Sequence, residues 1–241
     1  MIHSGYPASS IMTEAAPNPE LMRSLGRLVR GLSALFWGLP AALVVCFHTA
    51  RADSIKSFGI IPPIVCTGLL CYGIWQMSSF QQQERVWRRA LDWALWLSMI
   101  NLGLSPFLFW WNKMPGSFFF TIMVLLMTVS GLLFLASLNG MLRRLSAMLP
   151  DEALRLETRQ FTALNLNLIW ATFILCAMYL AVGQLRTPPI FLQAVMMVLD
   201  RGSFWFLVLL VLLPLAMTMA LLWKTKEVIL DNVFGPKTAA P

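Results

Sequence analysis

Apolar runs of about bilayer-spanning length follow one another along this chain, separated by short stretches that carry most of its basic residues. A helix crossing about 30 Å of hydrocarbon at about 1.5 Å per residue needs about 20 mostly apolar residues. Six windows meet or nearly meet that length, near 32–50, 58–77, 91–111, 117–138, 162–183 and 203–223. Only 12% of the 241 residues are charged and 58% are hydrophobic. A soluble fold of this size must cover its surface with charge, usually about a quarter of its residues, so the apolar surface here has to face lipid. The expected fold class is all-α, a polytopic integral membrane helix bundle of six transmembrane helices.

Basic residues set the orientation, because Lys and Arg are retained on the cytoplasmic side. With the N-terminus inside, the inner set is Arg23, Arg27, Arg30, Arg85, Arg88, Arg89, Arg143, Arg144, Arg155, Arg159, Lys224, Lys226 and Lys237. The outer set is Arg51, Lys56, Lys113, Arg186 and Arg201. The split of 13 against 5 favours an N-in, C-in threading through a bacterial-type cytoplasmic (inner) membrane. The apolar stretch 188–199 is too short to cross, and is expected to lie in the outer interface or to re-enter it. A full crossing there would carry Lys224 and Lys226 outside, against the charge bias.

Before the first span, Asn18-Pro19-Glu20 is a helix start, with a capping residue, a proline at the first position and an early acid. Leu21, Leu25, Leu28 and Leu32 then share one face while Arg23, Arg27 and Arg30 share another. That spacing predicts an amphipathic interfacial helix over 19–31 whose arginines meet the phosphates of anionic lipids. The alternative is that the segment simply extends the first span. Residues 1–18 are expected to be a disordered tail rather than a cleaved signal, having no basic stretch leading into an apolar core. Residues 32–223 form the membrane domain, and 224–241 a cytoplasmic C-terminal tail. The loop that joins spans four and five is long enough for a helix pair broken near Pro150, with Asp151 and Glu152 opening the next helix.

Cys46, Cys66, Cys71 and Cys176 all lie in apolar runs without a C-x-x-C pair, so neither a disulfide framework nor a metal site is expected. The two histidines, His3 and His48, do not supply the ligands for haem within the membrane, and no cofactor is expected. The basic residues form no continuous face of the kind that binds nucleic acid. The sequence contains no G-x-S-x-G, H-E-x-x-H or G-x-x-x-x-G-K-[ST], and no intramembrane carboxylate cluster to hold Mg²⁺. Catalytic residues are therefore not expected.

Ionisable groups inside the membrane are costly, at least about 2.5 kcal/mol near its centre, and usually mark function. The nearest here are His48, at the outer end of its span, and Asp92, which can pair with Arg88 one turn before it at the interface. A polar seam runs along the third span through Ala90, Ala94, Ser98, Asn101 and Ser105. Pro106 follows and deprives the Leu102 carbonyl of its helical donor, which predicts a kink. In the fifth span Thr158, Asn165, Thr172, Cys176 and Tyr179 align, with Asn167 off that face. The two seams could meet and line a small-molecule pathway through Asn101, Ser105, Pro106, Asn165 and Thr172, or act as interhelical glue. Ala34, Gly38 and Ala42 form a small-residue packing face in the first span. Pro40 and Pro214 interrupt spans one and six, and Trp87, Trp93, Trp96, Trp110, Trp111 and Trp223 read as interfacial anchors.

The functional expectation is a non-enzymatic membrane scaffold, assembly or accessory subunit, acting through helix packing and basic cytoplasmic loops, with other membrane proteins as partners. The alternative is a small-solute transporter or channel whose path follows the seam between spans three and five.

Overall fold

The computed structural model describes residues 19–51, 58–80, 84–114, 116–148, 152–183 and 211–231. The expected N-terminal tail, the 188–199 stretch, residues 203–210 of the expected sixth span and the last ten residues lie outside that set. The described residues form seven helices: α1 (Pro19–Arg51), α2 (Ile61–Met77), α3 (Arg85–Leu104), α4 (Pro106–Lys113), α5 (Phe118–Met148), α6 (Glu152–Gly183) and α7 over 211–231. No strand occurs among them.

Three helical stretches are long and apolar enough to cross a membrane by length and composition: Met22–Arg51, Phe118–Met148 and the α3–α4 stretch Arg85–Lys113. Helix α2 is equally apolar in character but shorter, at 17 residues. The described residues thus form an all-helical structure with the physical makeup of a membrane protein. Its outward faces agree, since Trp37, Trp75, Trp93, Trp96 and Phe118 are each more than 60% exposed. Large aromatic and aliphatic side chains facing outward on several helices at once need an apolar surrounding.

Helix α1 runs without a break for 33 residues, about 50 Å at the standard rise. The segment 19–31 is therefore the first part of the same helix that forms the first apolar span. Pro19 and Glu20 open it, as their preset backbone angle and negative charge favour, and His48 and Arg51 close its last turn. Continuity follows from packing: Leu28, Leu32 and Leu35 are fully buried on one stripe that joins the arginine-bearing end to the membrane end. Arg23, Arg27 and Arg30 lie exposed on the opposite side.

Helices α1 and α2 make the most extensive pair among α1–α6 and run antiparallel. A Cβ on Gly31 would stand 2.7 Å from the Gly73 carbonyl oxygen and 2.6 Å from Met77 Cγ, and one on Gly38 would stand 2.9 Å from Leu70 Cδ2. The two backbones approach as closely as small residues permit. Gly38 and Ala42 are buried at this contact and Ala34 is half-buried. Ahead of α2, Gly59 adopts φ +62°, a left-handed turn that glycine takes without steric cost. Pro62 and Pro63 then occupy opening positions of α2, where a missing N–H does no harm.

Helices α5 and α6 each extend past the apolar windows read from sequence. On α5 the buried residues Leu135, Leu138, Leu142 and Leu145 continue the three-and-four spacing beyond Asn139-Gly140. The stretch that resembles a polar loop is thereby held as helix. Helix α6 begins at Glu152, two residues after Pro150, and its Arg155 Nη2 donates to the Ala147 carbonyl in the last turn of α5 at 3.0 Å. The core is a cluster of Leu, Ile, Met and aromatic side chains drawn from α1, α2, α3, α5, α6 and α7. Phe36 and Trp223 touch with ring centroids 5.5 Å apart, which ties α7 to α1.

Candidate functional site

Two clusters of side-chain hydrogen bonds inside the bundle are anchored on α5, one tying it to α3 and the other to α6 and α7. At the first, Ser130 Oγ donates to Asn101 Oδ1 of α3 at 2.7 Å, and Asn101 Nδ2 donates to the Leu97 carbonyl of its own helix at 3.0 Å. At the second, Asn165 Nδ2 of α6 faces Asn139 Oδ1 at 2.9 Å, Thr218 Oγ1 of α7 at 2.9 Å and the Pro214 carbonyl at 3.2 Å. Asn139 Nδ2 donates to the Leu135 carbonyl at 2.8 Å and to Thr218 Oγ1 at 2.9 Å, while Thr218 Oγ1 donates to the Pro214 carbonyl at 2.7 Å. Three helices meet in this one knot.

Counting donors and acceptors fixes its orientation. The Asn165 nitrogen is ringed by acceptors alone, so turning the amide over would set Oδ1 against Asn139 Oδ1 and the Pro214 carbonyl. Thr218 accepts two N–H bonds and gives its only hydrogen to Pro214. The knot is satisfied at every atom except Asn165 Oδ1, which is buried and has no partner among the described residues. Buried amide bonds of this kind gain strength from the low local dielectric and fix which helices adjoin.

The seam expected on α3 is a buried face: Ala94, Ser98, Asn101 and Ser105 are all within the interior. Pro106 divides α3 from α4, and Ser105 Oγ donates to the Leu102 carbonyl at 2.9 Å, replacing the donor that proline removes. The seam expected on α6 is also interior at Thr158, Asn165 and Thr172, joined by Thr162; Asn167 is exposed. The side chains of Cys176 and Tyr179 lie outside the described set. The two seams do not meet directly. Helix α5 stands between them, with Ser130 and Asn139 nine residues apart, about 13 Å along its axis. The buried residues of α5 between them are Phe134, Leu135 and Leu138.

Other expected positions fall as follows. Arg88 and Asp92 are both exposed, one turn apart on α3. His48 is exposed at the end of α1. Trp87 is a core residue rather than an interfacial anchor: it is 1% exposed, packs edge-on against Phe80, and its Nε1 donates to the Phe80 carbonyl at 3.1 Å. A local acceptor within reach allows an indole to be buried. Trp111 Nε1 donates to Thr121 Oγ1 at 3.2 Å, joining α4 to α5.

Sequence reasoning missed Asn139, Ser130 and Thr218, and also Asn112, whose Nδ2 donates to the Thr49 carbonyl of α1 at 3.0 Å. Asn139 was hidden by its Asn-Gly context beside Arg143 and Arg144. A signal for Thr218 was present: Thr follows Pro by four residues at Pro63–Thr67 and again at Pro214–Thr218, and both hydroxyls donate to the proline carbonyl at 2.7 Å.

No group of three or more His, Cys, Asp or Glu placed to hold a metal occurs among the described residues. Compared with protein-family models, with curated proteins and with solved structures, the chain matches none. Its class therefore stands on its own fold and composition: all-helical, with three candidate membrane spans, among the described residues.

Proposed function

We propose that this protein is a non-enzymatic multi-pass membrane component, a scaffold, assembly or accessory subunit that works through helix packing and a basic cytoplasmic surface. The observation that carries this reading is the use of the interior amides: Asn101 and Asn165, the strongest candidates for a solute path, are both bonded to α5. Between the two contacts α5 presents buried Phe and Leu side chains. Polar groups used in this way join helices and fix their neighbours. A transporter or channel along the same seam is the alternative, and it needs a water-accessible cavity shared by Asn101 and Asn165.

The reading includes a six-span threading with both termini inside, in the cytoplasmic membrane. Helix α2, helix α6 and the stretch ending in α7 supply the three spans beyond the three candidates, and the 13-to-5 distribution of basic residues sets the direction. The cytoplasmic face then gathers Arg23, Arg27, Arg30, Arg85, Arg88, Arg89, Arg143, Arg144, Arg155 and Arg159 against anionic lipids and partner membrane proteins.

The test is crosslinking from the two cytoplasmic loops in native membranes, followed by purification in mild detergent. A partner polypeptide that crosslinks near residues 85 and 145 and co-migrates with the full chain is the expected result. Recovery as a lone monomer, with labelled cysteines at those two positions on opposite sides of the membrane, would overturn both the scaffold and its threading.

A further inference from the structure

Four side-chain oxygens in the α6–α7 region are fully enclosed and have no hydrogen-bond partner among the described residues: Thr158 Oγ1, Thr162 Oγ1, Asn165 Oδ1 and Thr225 Oγ1. All four residues are 0% exposed. Thr158, Thr162 and Asn165 follow at spacings of four and three, so they form one stripe of α6, about 10 Å long. It is the stripe that meets α7, because Asn165 bonds Thr218. Thr225 lies seven residues beyond Thr218, on the same face of α7.

Enclosed polar atoms in native proteins are nearly always satisfied, and a lone unpaired hydroxyl or amide oxygen carries the full cost of its lost hydration. Four in one region, three of them in register on a single helix, point to a shared ligand. Its chemistry is limited by the groups that would hold it. Asn165 Oδ1 can only accept, so the ligand must donate. Each threonine hydroxyl can both donate and accept, so a ligand that does both matches all four groups. None of the four groups is charged, and three of them are strung over about two helical turns. That extent is too long for the single coordination sphere of a cation but suits small neutral molecules in a row.

We propose that the Thr158–Thr162–Asn165 stripe of α6, with Thr225 of α7, is an internal water-binding site. Two or three ordered water molecules bridge the hydroxyls and end on Asn165 Oδ1, at the Asn139–Asn165–Thr218 knot. The inference stands apart from the scaffold reading, since a hydrated interhelical stripe is compatible with either function named above.

The isosteric double variant Thr158→Val/Thr162→Val distinguishes wet from dry. If the hydroxyls hold water, removing them leaves the water and Asn165 short of partners, and the Tm of the purified full chain in detergent falls by about 2 °C or more. If the stripe is dry, valine removes two unpaired hydroxyls and the Tm is unchanged or rises. Hydroxyl-radical labelling by pulsed X-ray radiolysis in ¹⁸O-water supplies a second reading that does not depend on stability. Ile169, buried one turn beyond Asn165 on the same stripe, should take up label in the native protein, whereas Leu32 and Leu35 in the α1 core should not. In the double variant the Ile169 label should drop several-fold. A native Ile169 no more labelled than Leu32, or a double variant with a Tm at or above native, would overturn the proposal.

Discussion

The Asn165 side-chain nitrogen lies 2.9 Å from Asn139 Oδ1, and that bond holds α6 against α5 at the level where Thr218 brings in α7. Along α5 and α6 the residue numbers at the contacts run in opposite senses, with Asn139 meeting Asn165 and Ala147 meeting Arg155. The pair is therefore antiparallel, and the amide contact fixes its register. A shift of one residue would turn the asparagines away from each other and strand both amides in an apolar interior.

The knot should behave as a unit. Asn139→Leu and Thr218→Val each remove bonds shared with Asn165, and each is expected to cost about 0.6 to 2 kcal/mol. Their effects should fall short of additive by at least about 0.5 kcal/mol, because the second substitution has fewer bonds left to break. Equilibrium unfolding of the two single variants and the double variant in detergent measures the difference; strict additivity would mean that the two contacts act separately.

Glycine positions should separate by what a methyl group would meet. Gly31→Ala drives a Cβ toward the Gly73 backbone carbonyl, which cannot move without parting α1 from α2, so a loss of about 2 kcal/mol or more is expected. Gly38→Ala meets the end of the Leu70 side chain, which can rotate away, and should cost less. Gly26→Ala and Gly140→Ala meet nothing within 4 Å and should gain up to about 1 kcal/mol of helix propensity. The ranking, read from thermal unfolding of the four variants, is the prediction.

Ser105 and Pro106 should be coupled. Ser105→Ala leaves the Leu102 carbonyl without a donor in a buried setting, at a cost of about 1 to 3 kcal/mol. Adding Pro106→Ala restores the backbone N–H, so the double variant should recover most of that loss. If Ser105→Ala is silent by thermal unfolding, the hydroxyl is not what satisfies the break.

Trp87→Phe should destabilise by about 1 to 3 kcal/mol, since it removes the indole N–H that meets the Phe80 carbonyl and leaves that acceptor buried. Trp93→Phe and Trp96→Phe, on the exposed face of α3, should lie within about 0.5 kcal/mol of native. Comparable losses at all three positions, measured by unfolding in detergent, would place Trp87 outside the core.

The arginines of α1 should act on lipid rather than on the fold. Replacing Arg23, Arg27 and Arg30 by Gln is expected to leave the Tm in a neutral detergent nearly unchanged, since all three are exposed. The extra thermal stability conferred by anionic nanodiscs over zwitterionic ones should shrink. An unchanged anionic-lipid increment would remove the assignment of this face to phosphates.

Much of this molecule follows from residue order alone. The helical class, the start of α1 at Pro19-Glu20, the break at Pro106 and the interior seams through Asn101 and Asn165 all depend on local chemistry: where a donor is missing, where a charge favours a helix end, which residues recur every three or four positions. The full lengths of α1 and α5 were less legible. An arginine-bearing face on α1 and an Asn-Gly pair on α5 suggest boundaries, but buried leucines on the opposite stripe carry each helix through them. Trp87 was unreadable for a similar reason, because its indole can be buried only where the Phe80 carbonyl lies.

Spacing along one helix sets which residues share a face, and that information is local. Which face finds which partner is decided by bonds between residues 26 to 79 apart in sequence, Asn165 with Asn139 and Asn139 with Thr218 among them. In an apolar surrounding hydrophobicity alone scarcely distinguishes one helix neighbour from another, so small residues and hydrogen bonds make the choice. Only the tertiary structure could reveal that α5 separates the two polar seams, since no local pattern specifies what stands across an interface.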